Sequence, residues 1–89
     1  MKKYITDKQH RELLDLGYAG GNRIADLIEF LGDDLWDIQN WSKVDNLKIG
    51  YTVTIEIDGD KSIQGCYTAS NKELKDALWE DCKYKLKNL

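Results

Sequence analysis

The stretch from Leu47 to Asp58 constrains this chain more than any other part of it. Leu47, Ile49, Tyr51, Val53, Ile55 and Ile57 fill the odd positions, and Lys48, Gly50, Thr52, Thr54, Glu56 and Asp58 fill the even ones. Successive side chains of a strand point to opposite faces, so this alternation predicts a strand with one dry face and one wet face. Asp58-Gly59 is turn chemistry, and Ile63, Gly65 and Tyr67 continue as the partner strand. Parity decides how the two are joined. A two-residue loop would pair Ile57 with Asp60 and Ile55 with Ser62, turning Ile63 and Tyr67 to water. A three-residue loop pairs odd positions with odd ones and puts Ile55, Ile63 and Tyr67 on one dry face, with Gly59 as its left-handed residue.

A dry sheet face must be covered, and the flanking sequence offers helices to cover it. Thr6 with Gln9 three residues on has capping-box spacing, in which each side chain satisfies an unpaired N–H at the helix start. His10, Leu13 and Leu14 follow at helical spacing, and Gly17 ends the helix in the left-handed cap position. Tyr18-Ala19-Gly20-Gly21 reads as a turn. A second helix follows, with Asn22 as N-cap, Ile24, Leu27, Ile28 and Leu31 as its stripe, and Gly32 as its stop. Ser70 and Glu73 repeat the capping-box spacing before a last helix whose stripe is Leu74, Ala77, Leu78, Cys82 and Leu86, with Trp79 beside it. Between Asp33 and Trp41 the signals compete. Trp36 and Ile38 alternate as in a strand, while Leu35, Ile38 and Trp41 recur every third residue as in a helical turn. Aromatic content favours a short strand. The expectation is one α+β domain over residues 1–89: helix, helix, a two- or three-stranded antiparallel meander, then a C-terminal helix, with all helices on one sheet face.

Composition narrows the function classes. The 89 residues carry 13 Lys and Arg against 16 Asp and Glu, a formal net charge of -3. Binding a phosphate backbone needs clustered cations, so direct nucleic-acid binding is disfavoured. No apolar run approaches the ~20 residues that span a bilayer, and none follows Lys2 and Lys3 as in a signal peptide. The expected location is cytoplasmic, with Cys66 and Cys82 reduced. Two cysteines without close spacing and a single histidine, His10, make a poor zinc set, and no cofactor is expected. Asp58 to Ser62 has oxygen side chains at alternate positions, like a calcium loop. The closing bidentate Glu and the flanking helices of such a loop are missing, so it reads as a turn. Gly17, Gly20 and Gly21 lack the strand-first context of a phosphate cradle. His10 has no nucleophile near it in sequence, and the chain is expected to be no enzyme.

Two features stand above this background. Asp33, Asp34 and Asp37 surround Trp36, with Trp41 close behind, in the least regular part of the chain. Strand parity puts Trp41 on the face opposite Trp36 and Ile38, which leaves one Trp partly exposed. An exposed aromatic rimmed by carboxylates is a contact site in kind, so Asp33, Asp34, Trp36, Asp37 and Trp41 form the candidate partner-binding set. The wet sheet face, with Thr52, Thr54, Gln64 and Thr68, is the second, and Cys66 shares that face.

Leu13-Leu14-Asp15-Leu16-Gly17-Tyr18, Ile24 to Leu31 and Glu73-Leu74-Lys75-Asp76-Ala77-Leu78-Trp79 together resemble a group of short uncharacterised proteins of phages, prophages and gut-bacterial mobile elements. The resemblance implies a small accessory protein and carries over no activity and no functional residue. The function expected is therefore protein binding, with inhibition of a host or defence factor as one form of it. The alternative is a small-molecule or nucleotide-binding domain, dimeric in one version, with its pocket between sheet and helices. A short sheet also leaves edges to manage, so a homodimer through an uncovered edge belongs to the same set of expectations.

Overall fold

The computed structural model describes residues 2–41, 50–56 and 66–88. Two helices, α1 (Asp7–Asp15) and α2 (Ile24–Leu31), precede a 3-10 turn at Gly32–Asp34. The strands β1 (Leu35–Trp41), β2 (Gly50–Glu56) and β3 (Cys66–Asn71) come next, and α3 (Leu74–Lys87) closes the chain. The sheet is antiparallel in the order β1-β2-β3. This is the expected α+β layout, and the ambiguous segment before Trp41 is a strand.

The first helix forms as its ends dictate. Thr6 accepts from the Gln9 N–H at 3.0 Å while the Thr6 N–H donates to the Gln9 side chain at 2.9 Å. At the other end the Gly17 N–H reaches Leu14 O and the Tyr18 N–H reaches Leu13 O, the paired bonds of a Schellman cap. Gly17 makes that cap at φ +107, a conformation that L side chains rarely adopt. Leu13 and Tyr18 are both buried, so the hydrophobic contact of the motif joins the core. Backbone bonds from Ile5 to Asn22 and from Ile24 to Lys3 then tie the N-terminal segment across the start of α2.

Three local expectations are corrected. The N-cap of α2 is Arg23, not Asn22: the Asp26 carboxylate takes the Arg23 N–H at 3.1 Å and also pairs with its guanidinium. Ser70 does not open α3. It lies in β3 opposite Thr52, and the helix starts at Leu74 after Glu73, because the ladder to β2 claims that stretch of backbone first. Leu14, placed on the α1 stripe from its spacing, is 45% exposed, whereas its neighbour Leu13 is fully buried.

Pairing in the second ladder joins odd positions with odd ones: Val53 faces Ala69 and Ile55 faces Tyr67. Parity is therefore as expected, and the dry face holds Val53, Ile55 and Ala69, all buried. Register is not. An uninterrupted three-residue hairpin would set Ile55 opposite Ile63, and the ladder instead sets it opposite Tyr67. The turn at Asp58-Gly59 and Ile63 itself lie outside the described residues.

Helix α3 lies over β2 and β3, and α1 and α2 pack against α3, so the helices share one side of the sheet. The five residues of the expected α3 stripe from Leu74 to Leu86 are buried, and Leu89, expected one turn further, lies outside the described residues. Leu74, Ala77, Leu78, Cys82 and Leu86 meet Leu13, Leu27, Leu31, Val53 and Ile55 in one core. Two positions in that packing are ionisable residues. Lys75 is buried with its ammonium on Asp76 at 2.8 Å, and Asp81 is wholly buried.

Candidate functional site

The candidate residues 33–41 are built from a turn, a bulge and an edge. Gly32 stops α2 at φ +51, and the 3-10 turn carries Asp33 and Asp34 to the start of β1. Leu35 pairs with Ile55 and Asp37 with Thr54, so Trp36 is an extra residue, a β-bulge that breaks the alternation. Bulging turns Trp36 outward to 67% exposure, the largest among the exposed apolar side chains described. From Asp37 onward the ladder is regular: Ile38 faces Val53, Gln39 faces Thr52, Asn40 faces Tyr51 and Trp41 faces Gly50. Residues opposite each other share a face, so Ile38 lies on the dry side and Asp37 and Gln39 on the wet side.

The acidic candidates are held differently. The Asp34 carboxylate is held by Lys85 of α3 at 2.9 Å, and Lys85 also donates to Phe30 O, so Asp34 fastens the 3-10 turn to the helix. Asp33 and Asp37 are exposed and carry no side-chain bond among the described residues. Trp41 closes the strand opposite Gly50. Trp36 is exposed, and its exposure comes from the bulge rather than from alternation.

The uncovered sheet face is a hydroxyl surface. Thr54 and Thr68 share a hydrogen bond at 3.0 Å, and Thr52 and Ser70 approach to 3.5 Å. Cys66 stands exposed on this face opposite Glu56, while Cys82 is buried with its thiol toward Leu27 O. Burial, with Asp81 beside it, pushes the Cys82 thiol up to about 12. A maleimide or iodoacetamide pulse on the native protein is expected to label Cys66 alone, and Cys82 only after denaturant is added. Mass spectrometry of the labelled peptides checks this, and equal labelling of both thiols in native buffer would contradict the burial.

His10 is committed to structure. Its Nε2 lies 3.0 Å from Gly20 O and its ring meets Tyr18 edge-on at 6.0 Å. Gln9 and Trp79 lock α1 to α3, through Gln9 to Asp76 at 2.8 Å and the Trp79 indole N–H to Gln9 O at 3.0 Å. An open depression of about 420 Å³ lies at the start of α3, lined by Lys2, Tyr51, Lys72, Glu73 and Leu74. Its walls come from the N-terminal segment, β2 and the start of α3. Among the described residues no three His, Cys, Asp or Glu side chains gather as a metal set, and no helix is long and apolar enough to cross a membrane.

Sequence reasoning missed Asp81. Its carboxylate is fully buried on α3, and neither oxygen has a hydrogen-bond partner among the described residues. Burial, helped by the neighbouring Glu80, raises it to about 8. Tyr67, which stacks on Tyr84 at 3.9 Å, is raised as well, first by burial and then by Glu80 and Asp81. The signal was present: residue 81 is three, four and seven positions on from Leu78, Ala77 and Leu74, at the centre of the apolar stripe.

Comparison with protein-family models, curated proteins and solved structures found no match to this chain.

Proposed function

We propose that this chain is a small non-enzymatic accessory protein that acts by binding another protein through the Trp36 end of β1. The exposure of Trp36 carries the reading. A large aromatic left 67% exposed on a short chain removes little apolar area from water, and Trp is the side chain that most often anchors a protein interface. Asp33 and Asp37 flank it without a side-chain bond among the described residues, so charge can select the partner while the ring supplies contact area. Support also comes from the other groups that could do chemistry: His10 is tied to Gly20 and Cys82 lies in the core. The resemblance to mobile-element proteins directs the search for a partner to bacterial host or defence factors.

Immobilised protein and its Trp36→Ala variant, presented with the same bacterial lysate, test this. The wild type is expected to retain a partner that the variant loses, with unchanged circular dichroism and urea midpoint, since Trp36 lies outside the core. Identical captured sets, or none above an empty matrix, would count against the proposal.

A further inference from the structure

The dry face of the sheet runs out under-covered at β1. Val53 is fully buried, yet Ile38, its register partner on the same face one strand further out, is 38% exposed. Asn40, opposite half-buried Tyr51, is exposed too. Helical cover is centred on β2 and β3, so among the described residues Ile38 stands at the edge of the helix layer. The opposite edge is different. The inward residues of β3 are Tyr67, half-buried under Tyr84, Ala69, buried, and Asn71, half-buried opposite Tyr51, so none of the three stands open.

On the wet face of β1 stands Asp37, one residue from Ile38. A strand laid along β1 would therefore place one side chain beside Ile38 and its next side chain beside Asp37, on opposite faces. The pattern that satisfies both is an apolar residue followed by a cation, with a further cation able to lie over the Trp36 ring. Self-pairing of β1 does not supply it, because Leu35 to Trp41 contains no Lys or Arg. The bulge limits regular pairing to Asp37–Trp41, since the ladder shifts between Leu35 and Asp37.

We propose that the partner docks by strand addition: an extended segment of alternating apolar and cationic residues pairs with β1 along Asp37–Trp41, its apolar side chain on Ile38 and its cation on Asp37. This rests on the reading of Trp36 as the contact site and adds the mode of binding and the chemistry of the occupant. Backbone hydrogen bonds supply the attachment, and the alternate pockets and charge supply the choice.

The test uses the full chain, isotopically labelled, with short synthetic peptides of alternating lysine and valine or of alternating glutamate and valine. The lysine peptide is expected to shift the amide signals of 37–41 and the Trp36 indole, and to slow hydrogen exchange at the outward-pointing half of the β1 amides. Asp37→Lys is expected to weaken it on the order of fivefold and to improve the glutamate peptide. Backbone N-methylation of the lysine peptide is expected to abolish binding. Equal response to both peptides, shifts centred on β3 or on the Lys2 and Lys72 depression, or no binding at all would each overturn strand addition. An N-methylated peptide that binds as well would overturn it while leaving Trp36-dependent capture standing. Concentration-dependent dimerisation without peptide, abolished by Ile38→Lys, would overturn it in favour of a second copy. Loss of the capture difference between wild type and Trp36→Ala would instead remove the underlying reading.

Discussion

Unlike most small domains, this one is expected to lose stability steadily as pH rises from about 4 to about 8, and Asp81→Asn is expected to flatten that decline. Burial pushes the Asp81 carboxyl up to about 8 in the folded protein, against the ordinary aspartate value of 3.8. Between those values the unfolded chain has released the proton and the folded chain still holds it. The unfolded state then binds fewer protons, so stability falls with each unit of pH, and the slope returns to zero once both forms are ionised above about 8. A displacement of that size corresponds to roughly 6 kcal/mol, comparable with the whole stability of many small domains.

Other groups shape the limits of that window without cancelling it. Burial alone would raise Asp76, but hydrogen bonds from Lys75 and Gln9 lower it on balance. Its contribution is therefore present above its unfolded value and lost as pH falls through the lowered folded one. On the alkaline side Cys82 and Tyr18, both raised to about 12 chiefly by burial, resist ionisation and add a further loss above their ordinary values of 9.0 and 10.0. Maximum stability is expected near the ordinary aspartate value of 3.8. Urea midpoints across the pH range measure all of this. A second variant separates charge from hydrogen bonding: Asp81→Leu removes the unpartnered polar atoms as well, and is expected to exceed Asp81→Asn by about 1–3 kcal/mol. A wild-type midpoint that stays level from pH 5 to 8, or an Asp81→Asn slope equal to the wild type, would show that the carboxylate is solvated or paired.

What could be read from the sequence divides along a physical line. Features set by one element's own period were legible. Alternation placed Val53 and Ile55 on the dry side and Cys66 and Thr68 on the wet one, and helical spacing gave the full stripe from Leu74 to Leu86. Features set by competition between elements were not. The same local spacing caps α1 at Thr6 and fails at Ser70, because only Ser70 lies within reach of a β2 ladder. The bulge at Trp36 depends on which β2 residue each β1 residue meets, which no periodicity in β1 encodes. At the candidate site the exposure of a Trp was legible, whereas the binding of Asp34 to Lys85 required α3 to be docked. Asp81 fell between the two cases, since its position was regular and only its charge argued against burial.

Leu13 and Leu14 give the sharpest single contrast in the core. Leu13→Ala is expected to destabilise the protein by about 2–5 kcal/mol and Leu14→Ala by no more than about 0.5 kcal/mol. The two residues have the same chemistry, the same helix and nearly the same helix propensity to lose, so the difference isolates burial. Leu13 is fully enclosed among the residues that join α1 to α2 and α3, and truncation there leaves a cavity in addition to the lost transfer energy. Leu13 O also accepts the Tyr18 N–H of the cap, and the packing of Leu13 against Tyr18 holds that turn closed. Loss of the side chain is therefore expected to loosen Tyr18, whose hydroxyl donates to Gly21 O at 2.7 Å, and with it the entry to α2. Leu14, 45% exposed, touches little that could respond. Urea denaturation gives the two stabilities, and hydrogen exchange at Tyr18 and Ile24 reports the loosening. Equal costs for the two substitutions would mean that α1 packs through the other side of its final turn.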